Sequence, residues 1–384
     1  MNYTRIRLPL STKTAVLALG GQSKSAFCFI KGNTAYLSDF RGDLSDLNNF
    51  KKFERDIKRL QKKLKISPRI IACDLHPEYV STKYALRTTN YCQKKSRAKP
   101  RDERRTTKIQ HHEAHIASCM TDNNINGKVI GIAFDGTGFG SDGNIWGGEF
   151  FVGGIKRLKR IAHLKYIPMP GGEASIKEPW RMAFSYLYDI YGKSSISEIL
   201  TRLDKKKIDM LSQMIDKNIN SPLTSSMGRL FDAVSSLIGI CDSAGYEGEA
   251  AIELEKAIPE HRAWGIERKK YKFGYFNEAG VVIIDWEPVI RSVVKDLKSG
   301  VKKPEISLKF HNSACDMIKE ICNLLRRKYK IKKVCISGGV FQNKYLSERI
   351  KPILEKEGFN VYAHKSIPAH DGGIALGQAV LAGA

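Results

Sequence analysis

Two histidines, His111 and His115 in the segment QHHEAHIAS, are the side chains of this sequence whose types and spacing best suit chemistry. The segment opens a predicted helix. Residues four apart on a helix lie on one face, where two imidazoles can share a metal ion. Many histidine pairs at this spacing are surface or packing residues, so the motif alone does not establish a metal site. A metal site here needs further ligands from other parts of the chain.

A carboxylate and a glycine-rich segment follow the histidines. The apolar run 129–134 is typical of a buried strand and ends at Asp135, which is followed by GTGFGSDG. Glycines at a turn let backbone amides approach phosphate oxygens, which makes Gly136, Thr137 and Gly138 candidate nucleotide contacts. An ordinary hairpin turn explains the glycines alone equally well. The conjunction of histidines, carboxylate and glycines within a few dozen residues predicts a functional site.

Further candidate contacts are spread along the chain. Lys24 lies in the predicted turn GGQSKS, where a lysine can meet a phosphate or remain an exposed turn residue. The segment SGGVFQN joins a predicted strand to a helix, a geometry in which a nucleotide lies against backbone at the helix N-terminus. Asp371 precedes the terminal helix, which it can cap, or it can supply a second carboxylate to a metal. Asp232 and the acidic residues of YEGEAAIELE are either capping or exposed groups, or contacts to a ribose.

The composition is that of a soluble globular protein. The chain has 384 residues, enough for two lobes, with 42% hydrophobic and 27% charged residues. No apolar run reaches the length of a membrane span, and the N-terminal apolar run is too short for a signal peptide, so we expect a cytoplasmic protein without a membrane partner. The eight cysteines contain no CxxC pair, which argues against a zinc finger and a disulfide framework.

The formal net charge of +24 is the unusual feature of the composition. It is compatible with binding of nucleic acid or another polyanion. Much of the excess lies in runs such as 51–65, whose charges fit the solvated face of an amphipathic helix, and we favour that interpretation for them. The segment KKSRAKPRDERR (94–105) lacks apolar periodicity and directly precedes the histidines. We predict that it forms an exposed basic loop near the entrance of the site.

The order of predicted elements indicates an α/β protein. Strands are predicted over 15–21, 24–32, 33–39, 69–74, 332–339 and 359–363. Helices are predicted near 45–64, throughout most of 178–260, near 305–329 and at the C-terminus. Two strand meanders, each followed by helices, suggest a duplicated α/β core.

Seven segments of the chain carry a resemblance to a known family. They are IQHHEAHIAS, AFDGTGFGSDGNIWGGEF, EPWRMA, TSSMGRLFDAVSSLIG, YEGEAAIELE, SGGVFQN and HDGGIALGQA. Over about residues 13–384 the chain resembles the carbamoyltransferase domain of HypF, a hydrogenase-maturation protein, which is related to TsaD and to O-carbamoyltransferases of antibiotic biosynthesis. The resemblance implies the two-lobed actin/Hsp70/sugar-kinase (RNase H-like) fold. It implies lobes at 13–125 and 126–384, with a terminal helix that returns to the N-terminal lobe.

The resemblance also implies roles for individual residues. It implies a metal ion, Fe(II) or Zn(II), held by His111, His115, Asp135 and Asp371, because a mixed set of imidazoles and carboxylates suits both metals. For the nucleotide, ATP or carbamoyl-adenylate, it implies ribose contacts from Asp232, Gly248 and Glu253, and contacts on the far side from Gly338, Gly339 and Asn343. Lys24 would contact the carbamoyl-phosphate moiety, and we expect Lys24 and Asp135 to be the catalytic residues.

The function implied by the resemblance is transfer of a carbamoyl group from carbamoyl-adenylate to the C-terminal cysteine of a HypE-like protein. The sequence lacks the CxxC repeats and the YrdC-type segment of complete HypF, so we expect a separate YrdC-type protein to supply the adenylate. Transfer to a small-molecule hydroxyl or to tRNA remains an alternative, although SDGNIWGGEF favours the HypF branch over a nucleic-acid substrate. A non-catalytic scaffold is a third possibility, against which the presence of all four metal-type residues argues.

Overall fold

The computed structural model describes residues 2–95, 104–201, 203–259 and 269–384. Residues 96–103, which make up most of the predicted basic loop, lie outside the described residues. The strands are β1 (Tyr3–Ala18), β2 (Cys28–Ser38), β3 (Ile70–Asp74), β4 (Arg105–Ile109), β5 (Val129–Phe139), β6 (Ile145–Gly154), β7 (Arg157–Leu164), β8 (Ile167–Pro168), β9 (Leu223–Thr224), β10 (Gly274–Glu278), β11 (Val281–Asp285), β12 (Lys333–Ser337) and β13 (Asn360–Tyr362).

The helices alternate with these strands and confirm the predicted α/β class. They are α1 (Leu47–Leu64), α2 (Val80–Lys95), α3 (His111–Asp122), α4 (Ala174–Lys177), α5 (Trp180–Tyr191), α6 (Ile196–Ile199), α7 (Lys205–Asp216), α8 (Met227–Leu237), α9 (Glu249–Lys256), α10 (Glu287–Lys298), α11 (Lys303–Tyr329), α12 (Lys344–Lys356) and α13 (Ile374–Gly383). In the described part of the chain, none of them combines the length and apolarity needed to cross a membrane.

The first sheet has the order β2-β1-β3-β4, and its first two strands differ from the prediction. β1 pairs antiparallel with β2 and parallel with β3. The prediction of three short strands over 15–21, 24–32 and 33–39 is wrong. β2 continues through Gly32 because this glycine, at a φ of 61°, lies in an irregularity of the β1–β2 ladder instead of ending the strand.

The second sheet has the order β10-β11-β7-β6-β5-β12-β13, with β8 and β9 paired beside β6. Its centre is β5, which pairs antiparallel with β6 and parallel with β12. Phe134 and Phe150 are fully buried on this sheet, in one hydrophobic cluster with side chains of α5, α8, α10 and α11. Burial of large aromatic side chains makes the sheet a rigid support for the residues at the strand ends.

α3 and α13 lie between the two sheets and pack against each other. α3 contacts β5 and β12 of the second sheet, whereas α13 contacts β1, β2 and β3 of the first. The helices approach closely because Gly377 has no side chain: a Cβ there would lie 1.8 Å from the carbonyl oxygen of Ala114. Both sheets therefore share a helical middle layer. The lobe boundary at 125/126 stays a prediction.

Candidate active site

The two histidines of the predicted metal motif lie on α3. Gln110 caps this helix, since its side-chain oxygen accepts a hydrogen bond from the backbone N–H of Glu113 at 2.9 Å. His111 and His115 lie about one turn apart and are each 1% exposed. The helix that the spacing predicts is present, and it places both imidazoles together in the layer between the sheets.

Two carboxylates from other elements meet these imidazoles. Asp135 belongs to β5, and Asp371 begins a 3₁₀ turn before α13. His115 Nε2 lies 2.9 Å from Asp135 Oδ2, and His111 Nε2 lies 3.4 Å from Asp371 Oδ1. One ligand atom from each of the four residues lies within 4.8 Å of the other three. The four residues, which we call the His/Asp cluster, form a possible metal-binding site.

The donor atoms of the His/Asp cluster fit a divalent metal ion. His111 Nε2, His115 Nε2 and Asp135 Oδ2 are buried, and none of them has a hydrogen-bond partner outside the cluster. Unpaired buried polar atoms are costly, and a shared cation explains why three of them lie in one small volume. Two imidazoles and two carboxylates suit both Fe(II) and Zn(II), so the ligand types do not select one metal.

Each histidine of the cluster is oriented through its other ring nitrogen. His111 Nδ1 lies 2.8 Å from Oδ2 of Asp74, a fully buried carboxylate at the end of β3. His115 Nδ1 lies 3.1 Å from Ser337 Oγ at the end of β12, and this hydroxyl lies 2.8 Å from His364 Nε2. Such contacts hold the Nε2 atom of a metal-binding histidine toward the ion. The sequence analysis missed Asp74 and Ser337, although a polar residue ending an apolar strand was the available signal.

Charges within the cluster shift the pKa values of its members. Burial opposes the charged form of His111, but the carboxylates of Asp371 and Asp74 outweigh it and raise the pKa of this imidazole well above its usual range. Burial also opposes ionisation of Asp135, but His111 and His115 hold the pKa of this carboxyl well below its usual range. The acids of the cluster are therefore ionised at neutral pH, as cation binding requires.

The His/Asp cluster borders a cavity of about 510 Å³, a volume typical of small-molecule sites. Its walls come from the turn after β1, the end of β5, α8, α9, the turn after β12 and the turn before α13. The predicted site residues that line it are Lys24, Asp135, Gly136, Asp232, Gly248, Gly339, Asn343 and Asp371. The predicted residues that do not line it are Thr137, Gly138, Gly338 and Glu253 among the nucleotide contacts, and the two more deeply placed histidines.

Two family models match this chain. The HypF Kae1-like domain matches residues 11–122, and the second subdomain of the Kae1-like carbamoyltransferase domain matches residues 131–378. The chain belongs to the HypF family of Kae1-like carbamoyltransferases. This membership confirms the family that the sequence motifs indicated.

Individual HypF relatives match nearly the whole chain. Carbamoyltransferase HypF of Synechocystis sp. is 35% identical over 97% of this chain and 48% of its own length. A carbamoyltransferase HypF homolog of Cupriavidus necator is 28% identical over 97% of this chain and 92% of its own length. A crystal structure of full-length HypF in the phosphate- and nucleotide-bound form has a TM-score of 0.89 and 39% identity, over 99% of this chain and 57% of that chain.

These matches confirm the two-lobed actin/Hsp70/sugar-kinase fold that the resemblance implied. The family models also show that the sequence corresponds to the Kae1-like carbamoyltransferase part of a HypF protein. The chain spans about half the length of several of the HypF relatives that it matches. The activity, substrates and partners of those longer proteins are therefore taken up below as proposals.

The glycine-rich segment of this HypF-family chain is not a turn at its predicted phosphate contacts. Residues 129–139 form β5, whose pairing with β6 has an irregularity between Phe134 and Gly138 and resumes from Gly138 to Phe139. The tight turn follows at 140–144. Gly138 faces the histidines, since a Cβ there would lie 2.4 Å from His112 Cε1. The predicted turn at the first glycines is wrong, and of its three residues only Gly136 lines the cavity.

Gly338 and Glu253 have structural partners away from the cavity. Gly338 adopts a φ of 106°, and a Cβ there would lie 2.1 Å from the carbonyl oxygen of Phe134, so close strand packing requires glycine. The Glu253 carboxylate accepts a hydrogen bond from Lys256 Nζ at 2.7 Å. Glu255 lines the cavity instead, because residues two apart face different sides of a helix. The structure therefore does not bring Glu253 to the cavity.

His370 caps the turn before α13, which leaves Asp371 to face the histidines. The Nδ1 atom of His370 accepts a hydrogen bond from the backbone N–H of Gly372 at 3.1 Å. The sequence left two roles open for Asp371, a helix cap or a carboxylate ligand. Its distance to His111 matches the second role.

Three further charged residues line the cavity: Arg229, Glu247 and Glu255. The sequence analysis gave no role to Arg229, and it treated Glu247 and Glu255 only as acidic residues of YEGEAAIELE. Arg229 Nη2 lies 2.8 Å from Asp232 Oδ2, and both side chains are 3% exposed. Burial raises the pKa of the Asp232 carboxyl to about 6 in spite of this cation. The sequence signal for the Arg229–Asp232 pair was two opposite charges at i and i+3 on an otherwise apolar helix.

Proposed function

We propose that this chain transfers a carbamoyl group from carbamoyl-adenylate to the C-terminal cysteine thiolate of a HypE-like protein. The observation that carries the proposal is the His/Asp cluster at the wall of a 510 Å³ cavity. The names of the HypF homologues support the transferase class. We further propose that the carbamoyl-adenylate is made by a YrdC-type enzyme.

In the proposed reaction the acceptor sulfur attacks the carbonyl carbon of the donor. A C–S bond forms, the bond from the carbonyl carbon to the phosphate oxygen breaks, and AMP leaves with the electron pair. A metal ion held by the His/Asp cluster would supply Lewis-acid stabilisation of donor oxygens. Lys24 lines the same cavity and would neutralise charge on the departing phosphate. Asp232, Gly248, Gly339 and Asn343 line the walls that would hold the nucleoside.

The described cysteines support a nucleophile supplied by the acceptor. Those whose side chains are described are buried, and none of them lines the cavity. Burial raises the pKa of the Cys73 thiol to about 11 and that of Cys315 to about 12. A thiol with a pKa this high is protonated at neutral pH and is a poor nucleophile.

The experiment is an intact-mass measurement on a HypE-type acceptor incubated with this protein, ATP, carbamoyl phosphate and a separate YrdC-type enzyme. We expect a gain of one carbamoyl group that is lost when the acceptor's C-terminal cysteine is replaced. Lys24→Met should reduce the rate of the gain, whereas Lys31→Met, which removes a lysine from β2, should not.

Two results would contradict the proposal in different ways. Carbamoylation of the acceptor in the absence of this chain would remove its role as the transferase. AMP release without any gain of mass on the acceptor would mean that the carbamoyl group goes elsewhere. Assays with small-molecule hydroxyls and with tRNA would then identify the acceptor class.

A further inference from the structure

Arg229 is a buried cation with unpaired donors in the wall of the cavity. It lies in the first turn of α8 and is 2% exposed. Its Nε and Nη1 atoms are buried and have no hydrogen-bond partner. Only Nη2 is paired, at 2.8 Å from Asp232 Oδ2. Buried guanidinium donors are normally satisfied, so these two require an explanation outside the described side chains.

A purely structural ion pair explains this arrangement poorly. One carboxylate contact leaves most of the five N–H donors of the Arg229 guanidinium unused. The planar guanidinium is suited to bidentate hydrogen bonding, which this single contact does not provide. Removing a charge pair from water has a cost that further hydrogen bonds must offset. The Arg229–Asp232 pair therefore leaves N–H donors of Arg229 unused, and Arg229 lines the cavity.

The surroundings of Arg229 suit an oxyanion. α8 is eleven residues long, and its N-terminus lies against the end of β5, because the Ser226 hydroxyl donates to the carbonyl oxygen of Asp135 at 2.7 Å. A helix N-terminus carries partial positive charge and free N–H groups. Arg229 Nη2 lies 3.6 Å from the position of a Cβ on Gly136, and Gly136 and Gly228 both line the cavity. Gly136 has no side chain that would occupy the space beside Nη2, whereas Gly228 lets the helix pack closely on β5, since a Cβ there would lie 2.9 Å from the Gly136 Cα.

We propose that Arg229 binds the phosphate group of the nucleotide donor at the N-terminus of α8 through its guanidinium group. The assignment rests on the proposed function, since it takes the cavity as a nucleotide site. It places one phosphate oxygen next to Gly136, and hence next to the ligand Asp135 of the His/Asp cluster. Arg229 is thus a phosphate-binding residue, and Asp232 holds it in place.

The experiment compares the affinities of AMP and adenosine, which differ only in the phosphate, by titration calorimetry on the full chain. The variants are Arg229→Met and, as a control that removes the same charge from a partly exposed site on α10, Arg291→Met. A hydrogen-bonded charge contact predicts that Arg229→Met weakens AMP binding by about 10- to 100-fold and adenosine binding by less than about 3-fold. Inorganic phosphate should compete with AMP in the wild type and not in Arg229→Met.

Arg229→Met leaves a buried carboxylate without its partner, which can destabilise the fold. The comparison is therefore repeated between Asp232→Asn and the double variant Arg229→Met/Asp232→Asn, where the partner is neutral. The assignment is supported when the preference for AMP over adenosine disappears in both Met-containing variants and survives in Arg291→Met. Retention of that preference in the double variant would overturn the assignment while leaving the nucleotide site intact. Absence of binding of both ligands to the wild type would overturn the nucleotide site as well.

Discussion

At the scale of single residues, the His/Asp cluster depends on atoms that have no other partner. The Nε2 atoms of His111 and His115 are buried and have no hydrogen-bond partner outside the cluster, while the Nδ1 atoms of the same rings contact Asp74 and Ser337. An imidazole fixed through Nδ1 has its Nε2 atom preorganised for a metal ion. Loss of one imidazole should therefore affect metal binding far more than folding.

We expect His115→Ala to lose bound metal and carbamoyl transfer while keeping a cooperative thermal transition. Removing one of four ligands typically lowers metal affinity by orders of magnitude, whereas the alanine leaves a small cavity. Metal content by mass spectrometry and melting by circular dichroism test this, with His76→Ala as the control for loss of an imidazole outside the cluster. Full activity in a metal-free His115→Ala protein would disprove the metal assignment.

His311 gives a prediction about pH. Its Nδ1 lies 2.8 Å from the Ser307 carbonyl oxygen, and its Nε2 lies 3.0 Å from the Asn343 side-chain nitrogen, so the neutral ring donates at Nδ1 and accepts at Nε2. Burial lowers the pKa of this imidazole to about 4, from 6.5. The unfolded chain therefore binds this proton more readily, and this contribution to stability is present above pH 6.5 and is lost as pH falls toward 4.

The full effect of His311 is about 3 kcal/mol, from about 1.4 kcal/mol per pKa unit. We expect the free energy of unfolding of the wild type to fall more between pH 6.5 and 4.5 than that of His311→Gln. Urea titrations at both pH values measure the difference. Equal pH dependence in the two proteins would show that His311 is not held in the neutral form.

At the scale of elements, the C-terminal end of α3 positions the loop that carries Asp371. The Asp122 carboxylate accepts hydrogen bonds from the backbone N–H groups of Lys365 at 2.6 Å, Ser366 at 3.1 Å and Ile367 at 3.2 Å. The same helix carries the two histidines at its other end. α3 therefore sets both sides of the His/Asp cluster, since it holds the imidazoles directly and the acid through this loop.

We expect Asp122→Ala to weaken metal binding although residue 122 is not a ligand. Loss of three charge-assisted hydrogen bonds frees the loop before Asp371, which raises the entropic cost of closing the site. Competition with a chelator measures the affinity, and hydrogen exchange over 364–371 reports the loop. Asp216→Ala, which removes a carboxylate at the end of α7, is the control. If Asp122→Ala speeds hydrogen exchange in the loop but leaves metal affinity unchanged, the order of this loop does not control metal binding, and the prediction is wrong.

At the scale of the whole molecule, the two sheets are joined through the contact of α3 with α13. Gly377 lets α13 approach to a distance at which a Cβ would lie 1.8 Å from the Ala114 carbonyl oxygen. Because α13 packs on the first sheet and α3 on the second, any separation of these helices moves the sheets apart. The His/Asp cluster lies in this layer and requires the same close approach.

We expect Gly377→Ala to lower the free energy of unfolding by about 1–3 kcal/mol, the usual range for overpacking a core. Denaturant unfolding measures this, with Gly245→Ala as the control, where an added Cβ would meet a neighbour at an ordinary 3.5 Å. Metal affinity should fall along with stability, because the displaced helices carry or adjoin three of the four ligands. Wild-type stability of Gly377→Ala would mean that the helices have room to separate.

The sequence by itself determined the types of the elements and much of the site. Apolar periodicity identified most of the helices and strands, and the His-x-x-x-His spacing placed two imidazoles together, because these patterns depend on neighbours along the chain. The family motifs then joined Asp135 and Asp371 to them. Local patterns failed at Gly32 and at the glycines after Asp135, where each strand continues through an irregularity in its pairing with the neighbouring strand.

Only the tertiary structure decided which polar side chains face the cavity and which hold the others in place. Asp74 and Ser337 orient the histidines across 37 and 222 residues of sequence. On α9 it is Glu255 that lines the cavity, and Arg229 on α8 is left with unpaired donors. These facts depend on how helices and sheets pack across the middle layer. No periodicity along one segment carries that information, because burial and pairing are set by contacts between segments far apart in the chain.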